Sequence, residues 1–543
     1  MHRFFSFQVA LAVSALLMSC SGPDNANDSG RDATVLNIGN LGEPKALDPH
    51  IVTGIAEERI LSALFEGLVN LDLRTLEPLP GVAEAWGLSH DGTRYTFYLR
   101  GDARWSNGDP VTAKDFVYAW RRILTPGLAA EYAYLLYPIV NAEAFNTGTL
   151  TDFDAVGVKA LDDRTLSVTL RAPTPYFLSM QIHFPWYPIR QKTIEAHGAI
   201  DARDTAWTRP GNLVGNGPYA LAAWTPNDTI SVVRNPNYWD AARVKIDEVR
   251  FHAVSSPITE ERMFRAGELD LTYTAPLTKI AAYREKEPEL IRIDPYLATE
   301  FIRFNIGRAP FDDIRVRRAF SLAVDRQRLV DHVLKGGQRP ASAFTPPETA
   351  GYTGPEGPKY DPNRARALLA EAGYPDGRGF PPVEFLYDTG DNQRIYSETL
   401  QSMWKAELGV EVSLANQDVK TWLASLIGLN YQFARSYWVG DYVDPSNFLE
   451  MFYGNSGNNR TGFRSDEYEA LLRHAAVTLD ATERNNTFRQ AEAILLESAA
   501  IAPVYYWTRP YLASPRLKGL HANVLGRIAF KELELASPAA PGL

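Results

Sequence analysis

The chain has 543 residues and a formal net charge of −10, from 55 Lys and Arg against 65 Asp and Glu. No basic cluster offers a nucleic-acid footprint, and the single cysteine excludes a disulfide framework and any metal site built from several cysteines. Hydrophobic residues at 45% and charged residues at 22% fit a soluble globular protein with an ample core, and at about 100–200 residues per domain the length suggests about three domains.

The chain opens MHRFFSFQVALAVSALLMSC. Arg3 precedes an apolar stretch, 9–18, broken only by Ser14; it is too short to span a bilayer and fits a signal-peptide core. Leu17-Met18-Ser19-Cys20 has the form of a lipobox, so lipidation of Cys20 is expected, with residues 1–20 as signal peptide and the polar 21–31 as a tether. VLNIG from Val35 reads as a strand. In 55–69, Ile60, Leu61, Leu64, Phe65 and Leu68 recur at helical spacing. An Asp91-Gly92 turn leads into RYTFYLR (94–100), where Tyr95, Phe97 and Leu99 share a face, and TLSVTL (165–170) alternates in the same way. RVRR (315–318) reads as the solvated side of a helix start. Helices are predicted over 364–374, stopped by Gly373, and over 480–500, where Asp480 and Glu483 have capping-box spacing. Strands are predicted at 383–387 and 410–415.

The nine histidines never fall at the spacing of a helical metal site. There is no Walker loop, dinucleotide fingerprint or nucleophile elbow, so no cofactor, metal or catalytic residue is expected. His183, in QIHFPW, reads as a satisfied core histidine. SYWVGDYVDPSNFL (436–449) is the odd stretch: Asp441 stands among Tyr437, Trp438, Val439, Tyr442, Val443 and Phe448. An ionised carboxylate in such surroundings needs a partner. An internal ion pair with Arg435 is one reading; a partner that arrives from outside is the other.

The segment AEAWGLSHDGTRYTFYLRGDARWSNGDPVTAKDFVYAWRRIL (83–124) resembles the signature of the peptide-binding cluster of extracellular solute-binding proteins, the receptors of ABC peptide importers. LGEPKALDPH (41–50), LFEGL (64–68), NGPYAL (216–221), RNPNYW (234–239), RAGELDLTY (265–273), FNIGRAPFDDIRVRRAFSLAVDR (304–326) and PVYYW (503–507) continue it in order. The likeness covers nearly the whole mature chain and implies an α/β, two-lobed periplasmic-binding-protein fold of type II, with discontinuous lobes and an extra inserted domain. Lobe I maps to 32–65, 190–297 and 510–543, the inserted domain to 66–189, and the closing lobe to 298–509.

The resemblance also implies the site. Asp441, in Trp438-Val439-Gly440-Asp441-Tyr442, would bind the α-ammonium of an enclosed peptide. The peptide would lie extended as an added strand, on Trp438 and Val439 from one lobe and on Thr53, Gly54 and Ile55 from the other, with Tyr132 and Tyr273 flanking it. Thr53 departs from the family, where an acidic residue stands near the amine. At three positions where relatives carry basic residues for the ligand's C-terminal carboxylate, this chain has Gln393, Leu426 and Ile427. That leaves Arg435 for a short ligand and points to an apolar preference near Leu426. The expected partners are an oligopeptide and an inner-membrane ABC permease, the expected state a monomer in the periplasm held to a membrane only by its lipid. A same-fold receptor for murein peptide or a non-peptide ligand, or a sensing lipoprotein, is the alternative.

Overall fold

A computed structural model describes residues 33–347 and 349–536. The signal peptide, Cys20, the tether and the last seven residues lie outside them. Residues from Thr34 onward form one compact unit.

The alternating hydrophobics form the sheets expected of them. Ala83–Leu88 and Arg94–Leu99 make a hairpin, continued by Thr165–Thr169 and Val158–Ala160, all antiparallel. Tyr95 lies opposite Val168 and Phe97 opposite Leu166, and all four are buried. Cross-strand apolar pairs of this kind hold a one-faced sheet together. The helix Ala113–Leu124 adds Phe116, Trp120 and Ile123 to the same core, its start fixed by a capping box between Thr112 and Asp115.

A second sheet runs Val35–Gly39, Glu248–His252, Thr229–Arg234, Tyr219–Thr225, its first pair parallel. The helix Ile55–Leu64 is shorter than its 55–69 pattern predicts. Phe65 leaves it in an extended conformation because the backbone of Gly217 packs against the helix end. A Cβ on Gly217 would lie 2.6 Å from both Leu64 C and Phe65 N, so only glycine fits there.

The third sheet orders its strands Arg339–Pro340, Ile501–Leu512, Ile291–Phe304, Phe433–Val439, Val383–Asp388, Val412–Gln417. Its two longest members, 14 and 12 residues, are antiparallel and reach back toward the second sheet, where Leu271 bridges Ile38 and Ala513. Their register shifts between Pro295 and Thr299; a shift of this kind bends the pair locally. Val383–Asp388 and Val412–Gln417 are parallel, joined by the crossover helix Asp391–Leu408. Pro362–Glu371 and Ala481–Glu497 are helical close to the predicted spans, and the Asp480 side chain accepts from Glu483 N at 2.8 Å.

One charge run is not what its sequence suggests. In the helix Ile314–Leu322, Arg315 and Arg318 face outward, but Arg317 is buried and donates to the carbonyls of Phe311, Ser498 and Ala499. It satisfies carbonyls left free at the end of Ala481–Glu497. Among the described residues no helix is long and apolar enough to cross a membrane.

Candidate functional site

The strand Phe433–Val439 has one full neighbour. All seven residues pair with Ile291–Phe304, but on the other side only Phe433 and Ala434 meet Val383–Asp388. Residues 435–439 therefore present a strand edge that no other strand among the described residues covers. The edge ends where Gly440 N donates to Leu297 O at 2.7 Å and the chain turns to Asp441.

Asp441 stands in a cavity of about 220 Å³. Thr53, Gly54, Ile55 and Glu58 come from the start of the helix Ile55–Leu64. Tyr132 comes from the stretch between Arg94–Leu99 and Val158–Ala160 of the first sheet, His183 and Phe184 from the segment between the first two sheets, Tyr296 from the bent strand, and Leu525 and Arg527 from the C-terminal segment. The Asp441 amide donates to Asn447 Oδ1 at 3.3 Å, and its carboxyl is hydrogen-bonded by Asn447 and Tyr134. Among the described residues no Lys or Arg forms an ion pair with it. Burial first, and then the charge of Glu58, push it up to about 6.

Glu58 is bound to Arg527 Nη2 at 2.6 Å, and Arg527 Nη1 donates to Ile182 O at 2.5 Å. Arg527 is thus spent on Glu58 and Asp441 has no cation of its own, leaving the cavity one negative charge in excess when both carboxyls are ionised. Glu58 puts a second acid in the wall that Thr53 also lines. No local pattern marks it, because its partner Arg527 is 469 residues away. His183 is a core residue, at 7% exposure, but not a satisfied one. Its Nδ1 has no hydrogen-bond partner, it lines the cavity, and burial together with Arg527 holds it well below the usual histidine range, in the neutral form.

The cavity gathers Asp441, Val439, Thr53, Gly54, Ile55 and Tyr132 of the expected residues. The side chains of Trp438 and Tyr273 stand outside its lining, although the Trp438 main chain is part of the 435–439 edge. Trp438 turns to the opposite face of its strand, where its indole donates to Asn447 Oδ1 at 3.0 Å. Tyr273 lies outside the wall, its ring 5.3 Å from the Arg59 guanidinium.

Arg435 is neither the partner of Asp441 nor open to a ligand's carboxylate. It is 5% exposed and bonds Glu300 at 2.7 Å and Asp388 at 2.5 Å. Glu300 lies diagonally across the ladder on the same face, which brings the two together. Burial above all pushes Glu300 up to about 7. Leu426 packs inside a core of Leu386, Trp422, Tyr431 and Ala434, so the apolar preference expected near it has no basis. Ile427 is 60% exposed, and Gln393 is half-buried. Among the described residues no three of His, Cys, Asp and Glu come together as metal ligands.

Residues 77–460 match the family described as bacterial extracellular solute-binding proteins, family 5 Middle. The chain is 37% identical to the periplasmic oligopeptide-binding protein OppA of Salmonella typhimurium, over 94% of this chain and 93% of that one. This chain belongs to the family 5 solute-binding proteins. The family 5 relatives also include the dipeptide-binding protein DppE of Bacillus subtilis, 35% identical over 97% of this chain and 98% of that one. Among solved structures, the murein tripeptide-binding protein MppA of Escherichia coli superposes with a TM-score of 0.79 at 34% identity, covering 94% of this chain and 99% of that one. OppA of Haemophilus influenzae in complex with RPPGFSPFR gives 0.77 at 34%, covering 93% and 100%. The family 5 chain described here has their two-lobed α/β periplasmic-binding-protein fold.

Proposed function

We propose that this chain is the periplasmic receptor of an ABC peptide importer, closing its lobes over an extended oligopeptide. The observation that carries the reading is the uncovered edge at 435–439 ending at Asp441. An extended chain can add to that edge through its main chain, which is indifferent to sequence, while its α-ammonium meets the excess negative charge of Asp441 and Glu58. The oligopeptide- and dipeptide-binding relatives support the ligand class. Water in the side-chain pockets would complete hydrogen bonds without strict selection.

In this reading lobe I comprises 32–65, 190–297 and 510–543, the inserted domain 66–189 and the closing lobe 298–509. The bent pair Ile291–Phe304 and Ile501–Leu512 acts as the hinge. The receptor works as a monomer, performs no chemistry on its cargo, and hands it to an inner-membrane permease. Lipidated Cys20 tethers it; the intact mass of membrane-extracted protein would show the acyl chains, and a mature form that starts elsewhere would end that part of the reading. The test of the function is calorimetry with free and N-acetylated trialanine. Binding of the free peptide alone is expected, and equal binding of both would refute the ammonium reading.

A further inference from the structure

Arg527 lines two cavities. One holds Asp441; the other, of about 350 Å³, shares no further lining residue with it. The volume of the second falls in the range of small-molecule pockets, about 300–1,000 Å³. Distant stretches of chain build it. Phe65 comes from the end of the helix Ile55–Leu64, and Leu71 and Leu79 from the hairpin of Val69–Leu71 and Pro78–Pro80. Trp239 comes from the turn after Thr229–Arg234 and Phe530 from the C-terminal segment. Most of this wall is apolar, and Phe65 is held by stacking on Tyr187 with ring centroids 6.3 Å apart. Leu79 is 41% exposed, so its side of the cavity is open to solvent.

The charged groups of the wall are all paired but one. Arg527 is bound to Glu58 at 2.6 Å. Arg243 lies 3.3 Å from Glu532 and 3.6 Å from Asp240. Lys531 lies 3.5 Å from Asp240 and 3.9 Å from Glu66. The Glu66 carboxylate also accepts from Asn70 at 2.8 Å, from the Tyr238 hydroxyl at 2.5 Å and from the Trp239 indole at 2.6 Å.

Arg100 is the exception. Its Nε donates to Gly81 O at 2.6 Å, and its guanidinium lies flat against Trp239, 3.6 Å from the ring centroid. Among the described residues no carboxylate pairs with it and neither Nη group has a hydrogen-bond partner, yet neither is sealed inside the protein. Stacking uses the face of a guanidinium and leaves its edge donors free. A carboxylate is the group that meets such an edge side-on with two hydrogen bonds. An inorganic anion would satisfy Arg100 but leave the apolar wall in water, and a neutral apolar molecule would do the reverse.

We propose that this cavity is a second binding site, for a small organic acid with a flat apolar body: the carboxylate lies on the edge of Arg100 and the body packs between Leu71, Leu79 and Phe530. The site is separate from the one that ends at Asp441 and does not depend on the peptide reading.

The test is calorimetry on the full chain with naphthylacetate and naphthylacetamide, which differ in charge and little in shape. Wild type is expected to bind the acid about tenfold more tightly than the amide, as one charge-assisted contact gives. In Arg100→Gln that ratio should fall to about one. Leu79→Glu sets a carboxylate into the same wall without touching Arg100 and should lower the ratio in the same way. The ratio is taken within each variant, and near-UV circular dichroism reports folding. Equal binding of acid and amide by wild type, or binding of neither, overturns the site; that comparison stands even if a variant does not fold. A ratio that survives both substitutions, or an acid displaced by saturating trialanine, puts the probe elsewhere and also overturns it. An acid that binds as expected to a protein that fails to bind trialanine would refute the peptide reading and leave this site standing.

Discussion

Asp441→Asn should act in opposite directions on binding and on stability. In the ligand-free protein the carboxyl is raised from 3.8 to about 6, chiefly by burial. A carboxyl with a raised folded-state pKa contributes stability that is fully present below pH 3.8 and is lost as the pH rises through 6. At about 1.4 kcal/mol per pH unit the loss at pH 7 is about 2–3 kcal/mol. Asparagine keeps an oxygen for Asn447 and Tyr134 but carries no charge, so the ligand-free variant should be more stable than wild type by up to that amount at pH 7, and no more stable at pH 4. Binding should move the other way. Replacing a charge-assisted bond to the ligand's ammonium by a neutral one costs at least about 2 kcal/mol, which is about thirtyfold in Kd. Urea denaturation of ligand-stripped protein at pH 4 and 7 gives the first quantity; calorimetry with trialanine gives the second. A variant that is destabilised at pH 7 and binds within threefold of wild type would show that Asp441 is a structural residue and that the ion-pair reasoning is wrong.

Because Asp441 must be ionised to hold an ammonium, lowering the pH from 7 to 5 crosses its value of about 6 and should weaken trialanine binding by about tenfold; the dependence should disappear in Asp441→Asn. Arg435→Met leaves Glu300 and Asp388 buried without their cation and should destabilise the protein by about 3–5 kcal/mol in urea at pH 7, where a surface arginine would cost almost nothing. Since Arg435 is already doubly paired, C-terminal amidation of tri- and tetra-alanine should change Kd by less than about threefold, as measured by calorimetry; a large loss on amidation would reveal a cation that receives the carboxylate.

The strands and helices whose signals are local were legible in the sequence. Tyr95, Phe97 and Leu99 alternate because one face of their hairpin is buried, and Asp480 caps its helix at the expected position. What the sequence hid was decided by distant partners. Nothing in 55–69 shows that Gly217 will close on the helix after Leu64. The site divides in the same way. Asp441, Val439 and the Thr53–Gly54–Ile55 run came from the resemblance and converge on one cavity. Arg435 matched a family arginine equally well, yet Asp388 and Glu300, 47 and 135 residues away, claim it. Glu58, Tyr296 and Arg527 went unread, and His183 was read only as a core residue, because four separate segments deliver them and none has a local pattern of its own.

A bare sheet edge is ordinarily a hazard, since it offers a template on which copies of a protein can stack. Here residues 435 and 436 of the edge are buried and 437–439 half-buried, and the residues at its end line a cavity together with helix and loop residues. A second folded molecule cannot bring its own edge strand down to that depth. Only a chain without structure of its own, one backbone wide, can reach the bottom. Under the proposed reading the fold would therefore sort candidates by conformation before side-chain chemistry: an extended chain fits the edge and a folded one is too wide for it.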